Sequence, residues 1–170
     1  MAGFEVTIEA SEIRRMQDVR FALTVGVTVL STYFNRDDEL EEYLARFNDE
    51  FSMRDDLLRE LDSVFEFIEQ LRIATASRLW KKADLFTAIA ELHRALCKRG
   101  QELTPGPFAR ALESFYAAVD DPEDRTDPES DAAQYYKAAL QATNDRSSRV
   151  KRGEVFERVI QDSVRSEELI

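Results

Sequence analysis

The chain has few of the residues on which disulfide-stabilised proteins, sheet proteins and many enzymes depend. Its 170 residues include one cysteine, one histidine, five glycines and four prolines. A disulfide needs two cysteines, so Cys97 excludes an internal one, and a lone thiol is typical of a reducing cytoplasm. The scarcity of turn-forming residues disfavours an all-β sandwich. Neither glycine-rich phosphate loop, GxxxxGK[ST] or GxGxxG, occurs in the chain.

Long apolar runs are missing as well. The longest uncharged stretch, FALTVGVTVLSTYF at 21–34, has 14 residues, whereas a helix needs about 20 to span a bilayer. We therefore expect this stretch to lie in a protein core and predict no membrane contact. The first fifteen residues lack the basic-then-apolar order of a signal peptide. These observations predict a cytoplasmic location.

Charge of one sign dominates, but it is unevenly distributed. The net charge is −11, and 36–70 carries 13 acidic and 4 basic side chains. In contrast, 71–100 carries 7 basic and 2 acidic side chains. An acidic chain opposes loose binding to nucleic acid. Acidic and basic blocks therefore alternate along the chain, which favours ion pairs between the blocks, a homo-oligomer or a protein partner. Nucleic acid is an alternative partner, through the basic 71–100 and 146–152 stretches.

Hydrophobic periodicity predicts an all-α, single-domain bundle of six or seven helices. We expect a helical domain at 11–170, preceded by an extended arm at 1–10, where FEVTIEA alternates like a strand. A helix is predicted over 12–34, although its β-branched centre leaves a buried strand as an alternative. Asn35 is a candidate cap for the helix that follows, and Ser52 with Asp55 resembles a capping box. The Pro-punctuated segment 120–131 is predicted to be a mobile acidic loop.

Candidate metal and catalytic residues are sparse. His93 and Cys97 are four residues apart on a predicted helix, so they share a face. A structural zinc site needs four ligands, and the chain has no other histidine or cysteine. We therefore interpret His93 and Cys97 as core residues and predict no metal or cofactor. We interpret the carboxylates as helix caps or as side chains on solvent-exposed helix faces. A carboxylate-only metal hydrolase is the enzymatic alternative.

Two basic stretches carry the candidate binding residues. In SRLWKK, Trp80 lies beside Lys81 and Lys82. Such a tryptophan either fills the junction between two helices or stacks on a base or a partner protein.

The second stretch, TNDRSSRVKR, opens the last predicted helix. Asn144 and Asp145 are candidate N-caps, and Arg146, Arg149 and Arg152 step by three along one helix face. Arginines at a helix start oppose the helix dipole unless an anion faces them. That anion is either an acidic segment of this chain, such as 37–42 or 120–124, or an external ligand.

The closing segment YYKAALQATNDRSSRVKRGEVFERVI resembles the end of bacterial DUF262 proteins, the ParB/sulfiredoxin-like family related to GmrSD-type restriction systems. In that family a threonine-containing break precedes Arg-x-x-Arg and an apolar helix, a pattern that Arg149 and Arg152 match. SEIRRMQDVRFAL is similar to the Arg-x-x-Asp entry to the family's C-terminal helices, through Arg15 and Asp18. SRLWKKADLFTAIAELHRAL is similar to its Arg/Lys-then-Phe helix, and the three stretches occur in the family's order.

The resemblance implies a helical half without an active site. The family's strand-rich catalytic half, with its Asp-Gly-Gln-Gln-Arg signature, has no counterpart in this sequence. The function expected from it is a non-catalytic interaction domain of a defence or restriction-type protein, which docks a catalytic half, a subunit or nucleic acid. Arg149 and Arg152 would orient that contact, with Arg15 and Asp18 as a second polar cluster. A direct nucleic-acid-binding module is the alternative.

Overall fold

The computed structural model describes residues 17–34 and 38–167, and this part of the chain contains seven α-helices and no strand. The helices are α1 (Gln17–Leu30), α2 (Asp38–Arg46), α3 (Arg54–Gln70), α4 (Lys82–His93), α5 (Pro105–Asp120), α6 (Asp131–Leu140) and α7 (Arg146–Glu167). The prediction of an all-α fold with six or seven helices is confirmed. The predicted arm at 1–10 lies outside the described residues. None of the described helices is long and apolar enough to cross a membrane.

Helix α4 is the centre of the bundle. Every side chain from Asp84 to His93 is buried, as expected for a helix that is apolar on nearly all sides. Helices α1, α3 and α7 pack against it, and α7 also packs against α5 and α6. A π-helical turn, Arg94–Lys98, continues α4, and Gly100 then adopts a positive φ of 61°. The helical segment therefore ends just before Gly100.

The core is formed by apolar side chains that recur at the helical period along several helices. Leu85, Leu92, Leu112, Phe156 and Ile160 are all almost completely buried. Removing each such side chain from water contributes about 1.5–3 kcal/mol. The core thus joins α4, α5 and α7 into one packed unit.

The β-branched stretch that could have been a buried strand is helical and forms α1. This helix ends four residues earlier than predicted. It stops at Leu30, and Tyr33 and Phe34 are buried in the extended segment that follows. The reason is tertiary, because the backbone carbonyls of these two residues accept hydrogen bonds from arginines of α7. A helix continued to Phe34 would redirect these carbonyls along its axis, although it would leave them without intrahelical donors. The predicted start of α1 and the cap Asn35 lie outside the described residues.

The predicted capping box at Ser52 is wrong. Helix α3 begins at Arg54, and the N-cap position is occupied by Met53, which makes no side-chain cap. Asp55 and Asp56 stand in the first turn, where carboxylates are favoured by the helix dipole.

The acidic segment between α5 and α6 is an exposed series of turns. The side chain of Asp121 accepts a hydrogen bond from the backbone of Glu123 at 2.8 Å, and Asp127 accepts one from Glu129 at 2.9 Å. These short-range bonds are typical of aspartate in turns. The mobility of this segment stays a prediction.

Candidate functional site

Arg152, in the second turn of α7, is the most deeply buried cation of the described structure, with 1% of its surface exposed. Its guanidinium donates to the Thr87 hydroxyl at 3.0 Å, to the Ala138 carbonyl at 2.7 Å and to the Thr143 carbonyl at 3.0 Å. All three acceptors are uncharged. The side chain therefore ties α7 to α4 and to the end of α6, while its own charge is not neutralised by these bonds.

Arg149 and Arg146 attach α7 to the segment that follows α1. Arg149 donates to the Phe34 carbonyl at 3.2 Å and lies 5.0 Å from the centres of both the Phe34 and Phe86 rings. Arg146 donates through Nε to the Tyr33 carbonyl at 3.0 Å. Backbone carbonyls therefore take part in compensating the unfavourable placement of arginines at a helix start.

The predicted acidic segments do not account for Arg152, and one of them has another partner. Asp120, the first residue of the 120–124 segment, binds Arg78 at 2.5 Å and lies 3.7 Å from Lys81. Arg78 in turn lies 3.0 Å from the buried Asp84. The 120–124 segment is thus anchored to the turn before α4 through its first carboxylate.

A cavity of about 850 Å³ lies where α1, the start of α4 and the break between α6 and α7 meet. Among the described residues that line it, five are cationic and one, Asp145, is acidic. The cations are Arg20, Lys81, Lys82, Arg149 and Arg152. We call this feature the cationic cavity. Its charge is opposite to that of the chain, which has a net charge of −11.

Two helix N-termini also open on the cationic cavity. Lys82 and Ala83, in the first turn of α4, line one side, and Thr143 to Asp145, just before α7, line the other. The N-terminus of a helix carries unpaired N–H groups and a positive partial charge. Both termini add to the field of the five side chains, so the cavity is suited to an anion.

The cationic cavity brings together most of the binding residues predicted from sequence. Asn144, Asp145, Arg149 and Arg152 line it together with Lys81 and Lys82, although the two stretches are about 60 positions apart.

The remaining predicted residues lie elsewhere. Trp80 is half-buried against the main core, and its indole N–H donates to the Ala74 carbonyl at 2.9 Å. This packing fits the helix-junction alternative. Asp18 is half-buried on α1, Arg146 points to the Tyr33 carbonyl, and Arg15 lies outside the described residues.

Sequence reasoning missed the α1 wall of the cavity. Gln17, Arg20, Phe21 and Thr24 line it, and their spacing of three, four and seven places them on one helix face. The signal was present in this spacing. Phe21 fits the apolar run equally well, and an isolated arginine before it carries no distinctive pattern.

The charge of Arg152 is compensated only at a distance. Burial lowers the pKa of Arg152, and the neighbouring Tyr135 and Asp84 partly oppose that shift. Burial likewise raises the pKa of Asp84, although the Arg78 guanidinium beside it opposes the shift. Because Asp84 is shared with Arg78, the described surroundings of Arg152 leave positive charge at the base of the cavity. An anion in the cavity would offset it.

A polar contact between α3 and the end of α4 is formed by Glu60, His93, Cys97 and Lys98. His93 is buried, and its Nε2 is 2.8 Å from Glu60, which also accepts hydrogen bonds from Lys98 at 2.8 Å. The Cys97 thiol contacts the Glu60 carbonyl at 3.6 Å. Burial lowers the pKa of His93 and raises that of Cys97, so neither the imidazolium nor the thiolate is favoured. These residues therefore join α3 to α4.

Within the described ranges, no group of three or more histidine, cysteine, aspartate or glutamate side chains is arranged to hold a metal ion. In comparisons with known proteins, no family model, no curated protein and no solved structure matches the chain. The DUF262 relationship therefore stays a prediction.

Proposed function

We propose that this chain is a non-catalytic binding module that holds an anionic group of a partner in the cationic cavity. The observation that carries the proposal is the convergence of five cationic side chains and two helix N-termini on one cavity of an acidic chain. A volume of about 850 Å³ falls in the range of ligand sites, about 300–1,000 Å³.

The buried end of the cavity supports an anionic occupant in particular. Desolvation makes a buried charge costly unless an opposite charge accompanies it. Arg152 is buried and hydrogen-bonded to uncharged acceptors. Its position on the cavity wall means that a bound anion would act on it across a region of low dielectric, where attraction is stronger than in water.

The pairing of the other basic residues favours one cavity over a broad nucleic-acid surface. A protein that follows a phosphate backbone needs several exposed, unpaired cations along its surface. Five of the seven basic residues in 71–100 lie within ion-pair distance of carboxylates of the chain itself: Arg78, Lys81, Arg94, Lys98 and Arg99. The exposed ends of Lys81 and Lys82 lie at the cavity and not along an open surface. A localised anion therefore fits the charge distribution better than an extended strand.

The resemblance to DUF262 proteins adds a biological setting to this proposal. In that setting the chain is the helical half that docks a catalytic half or a sister subunit, and an acidic group on that partner enters the cavity. Arg149 orients the contact by holding the Phe34 carbonyl and the start of α7 in place.

Calorimetric titration with inorganic pyrophosphate at low ionic strength tests the proposal. We expect saturable binding with one site per chain. The Lys82→Gln variant should weaken it by about tenfold or more, because a hydrogen bond to a charged group is worth about 1.5–3 kcal/mol. The matched control is Lys151→Gln, which removes the same charge from α7 at a residue that pairs with Glu154 outside the cavity.

The affinity should also fall steeply with salt, because screening weakens the attraction between charges. A titration without saturable heat would contradict the proposal. Equal losses in Lys82→Gln and Lys151→Gln would contradict it as well, since they would indicate a response to net charge and not to the cavity.

A further inference from the structure

The wall of the cationic cavity is not uniformly charged. Beside its five cations, the described residues that line it include two phenylalanines and three alanines: Phe21, Phe86, Ala83, Ala139 and Ala142. Small-molecule sites commonly combine an apolar lining with a few charged or hydrogen-bonding groups that fix the orientation of the ligand. The cavity therefore has the surface chemistry for an occupant that is apolar in one part and anionic in another.

The apolar part of the wall contains aromatic rings from two helices. The Phe21 ring of α1 meets the Phe86 ring of α4 edge to face, with ring centres 6.4 Å apart and planes at 70°. Phe86 is 5% exposed, whereas Phe21 is only half-buried. Because Phe21 lines the cavity and the core does not cover it completely, its ring leaves apolar surface that a ligand can contact.

A cation lies directly beside this aromatic wall. The guanidinium carbon of Arg149 is 5.0 Å from the centre of the Phe86 ring, and both residues line the cavity. An anion bound at Arg149 is therefore close to the aromatic wall. A ligand that uses both features carries its apolar part a short link away from its anionic group.

The size of the cavity also favours more than an inorganic anion. Its volume of about 850 Å³ lies in the upper part of the range of ligand sites, about 300–1,000 Å³. Inorganic phosphate or pyrophosphate at the cations would leave the Phe21 surface in contact with water. A ring packed on Phe21 would remove that apolar surface from water, which is favourable.

We infer that the group bound in the cationic cavity is an anion attached to an aromatic ring. The inference rests on the proposed function and names the chemistry of the bound group. The anion meets Arg149, and the ring packs against Phe21. Edge-to-face and offset-stacked contacts between rings add to the gain from burial alone.

An NMR titration with phenyl phosphate and with methyl phosphate, read at the backbone amide of Ala83, tests the inference. The two ligands share the anionic group and differ in the ring. We expect the wild-type protein to bind phenyl phosphate about tenfold more tightly, through burial of the ring and its contact with Phe21. Lys82→Gln should weaken the binding of both ligands by the same factor, because it removes only an attraction to the phosphate.

Replacing Phe21 identifies the wall that the ring contacts. Phe21→Ala should reduce the preference for phenyl phosphate to less than about threefold and leave the affinity for methyl phosphate unchanged within error. The matched control is Phe65→Ala, which removes a half-buried phenylalanine of α3 outside the cavity. It should leave the preference as it is in the wild type.

Equal binding of the two phosphates by the wild-type protein would overturn the inference, and this comparison decides the matter even if Phe21→Ala does not fold. A folded Phe21→Ala protein that keeps the full preference would overturn it as well. If pyrophosphate still binds in those cases, only the inference fails, whereas no binding of any of the three ligands rejects the proposed function too. Once the preference for phenyl phosphate is established, adenosine monophosphate distinguishes the sources of the ring. Tighter binding than phenyl phosphate indicates a nucleotide, and weaker binding indicates a ring bonded directly to the anion.

Discussion

Gly153 of α7 has no room for a side chain, and replacing it with alanine should destabilise the protein. A Cβ at this position would lie 2.7 Å from Cε2 of Tyr33 and 2.8 Å from its hydroxyl, and closer still to Oε1 of Glu91. The Tyr33 hydroxyl donates to the same Glu91 oxygen at 2.6 Å. Both side chains are buried, so neither can move into solvent without opening the core.

The magnitude follows from three opposing contributions. Alanine is favoured over glycine in a helix by about 1 kcal/mol. Overpacking costs about 1–3 kcal/mol, and separating Tyr33 from a buried carboxylate costs about 1–3 kcal/mol. The net loss is therefore about 1–5 kcal/mol. Gly26→Ala is the matched control, because the nearest atom to its Cβ is Cδ2 of Leu57 at 4.0 Å, and it should stabilise the protein by up to about 1 kcal/mol.

Urea unfolding followed by circular dichroism measures both changes. Since Gly153 adjoins Arg152, Gly153→Ala should also weaken pyrophosphate binding, whereas Gly26→Ala should not. A Gly153→Ala protein at least as stable as the wild type would refute this description of the packing between α7 and the segment after α1.

Two further predictions concern the parts of the bundle away from the cavity. Burial lowers the pKa of His93 in the folded protein, so the unfolded chain binds a proton at His93 more readily than the folded one. The free energy of unfolding should therefore fall as pH drops below the ordinary histidine value of about 6.5. Urea unfolding at about pH 7.5 and pH 5.5 should show the advantage of the wild type over His93→Gln shrinking on acidification, by at most about 1.4 kcal/mol per pH unit; an advantage that grows would contradict the assignment. Ser130 caps α6 by accepting a hydrogen bond from the Ala133 backbone at 3.2 Å, so Ser130→Ala should lower the free energy of unfolding by about 0.5–2 kcal/mol. A change within error would show that the turn before α6 is held by other contacts.

The helices could be predicted because their apolar positions follow the helical period. Leu85, Ile89 and Leu92 recur at that period and are all buried. The end of α1 could not be predicted from the same signal. Tyr33 continues the apolar run, and only the hydrogen bond from Arg146, more than a hundred residues later, shows why its carbonyl leaves the helix.

The site was predictable in part. The spacing of Arg149 and Arg152 indicates a shared helix face, and the basic SRLWKK stretch indicates Lys82 independently. Sequence could not reveal that these stretches line one cavity, because their proximity depends on the packing of α7 against α4. Sequence also suggested carboxylates as partners of the arginines, whereas Arg152 bonds to a hydroxyl and two backbone carbonyls. Backbone acceptors leave no mark in a sequence, since every residue carries one.

The most direct test of anion binding is an NMR titration of nitrogen-labelled protein with pyrophosphate, read at individual backbone amides. We expect saturable shifts concentrated at Lys82 and Ala83 on α4 and at Asn144 and Asp145 before α7, with little change along α3. Shifts that stay linear with concentration and scatter over exposed lysines and arginines would contradict the account. They would show that pyrophosphate binds the cavity no more tightly than the rest of the surface.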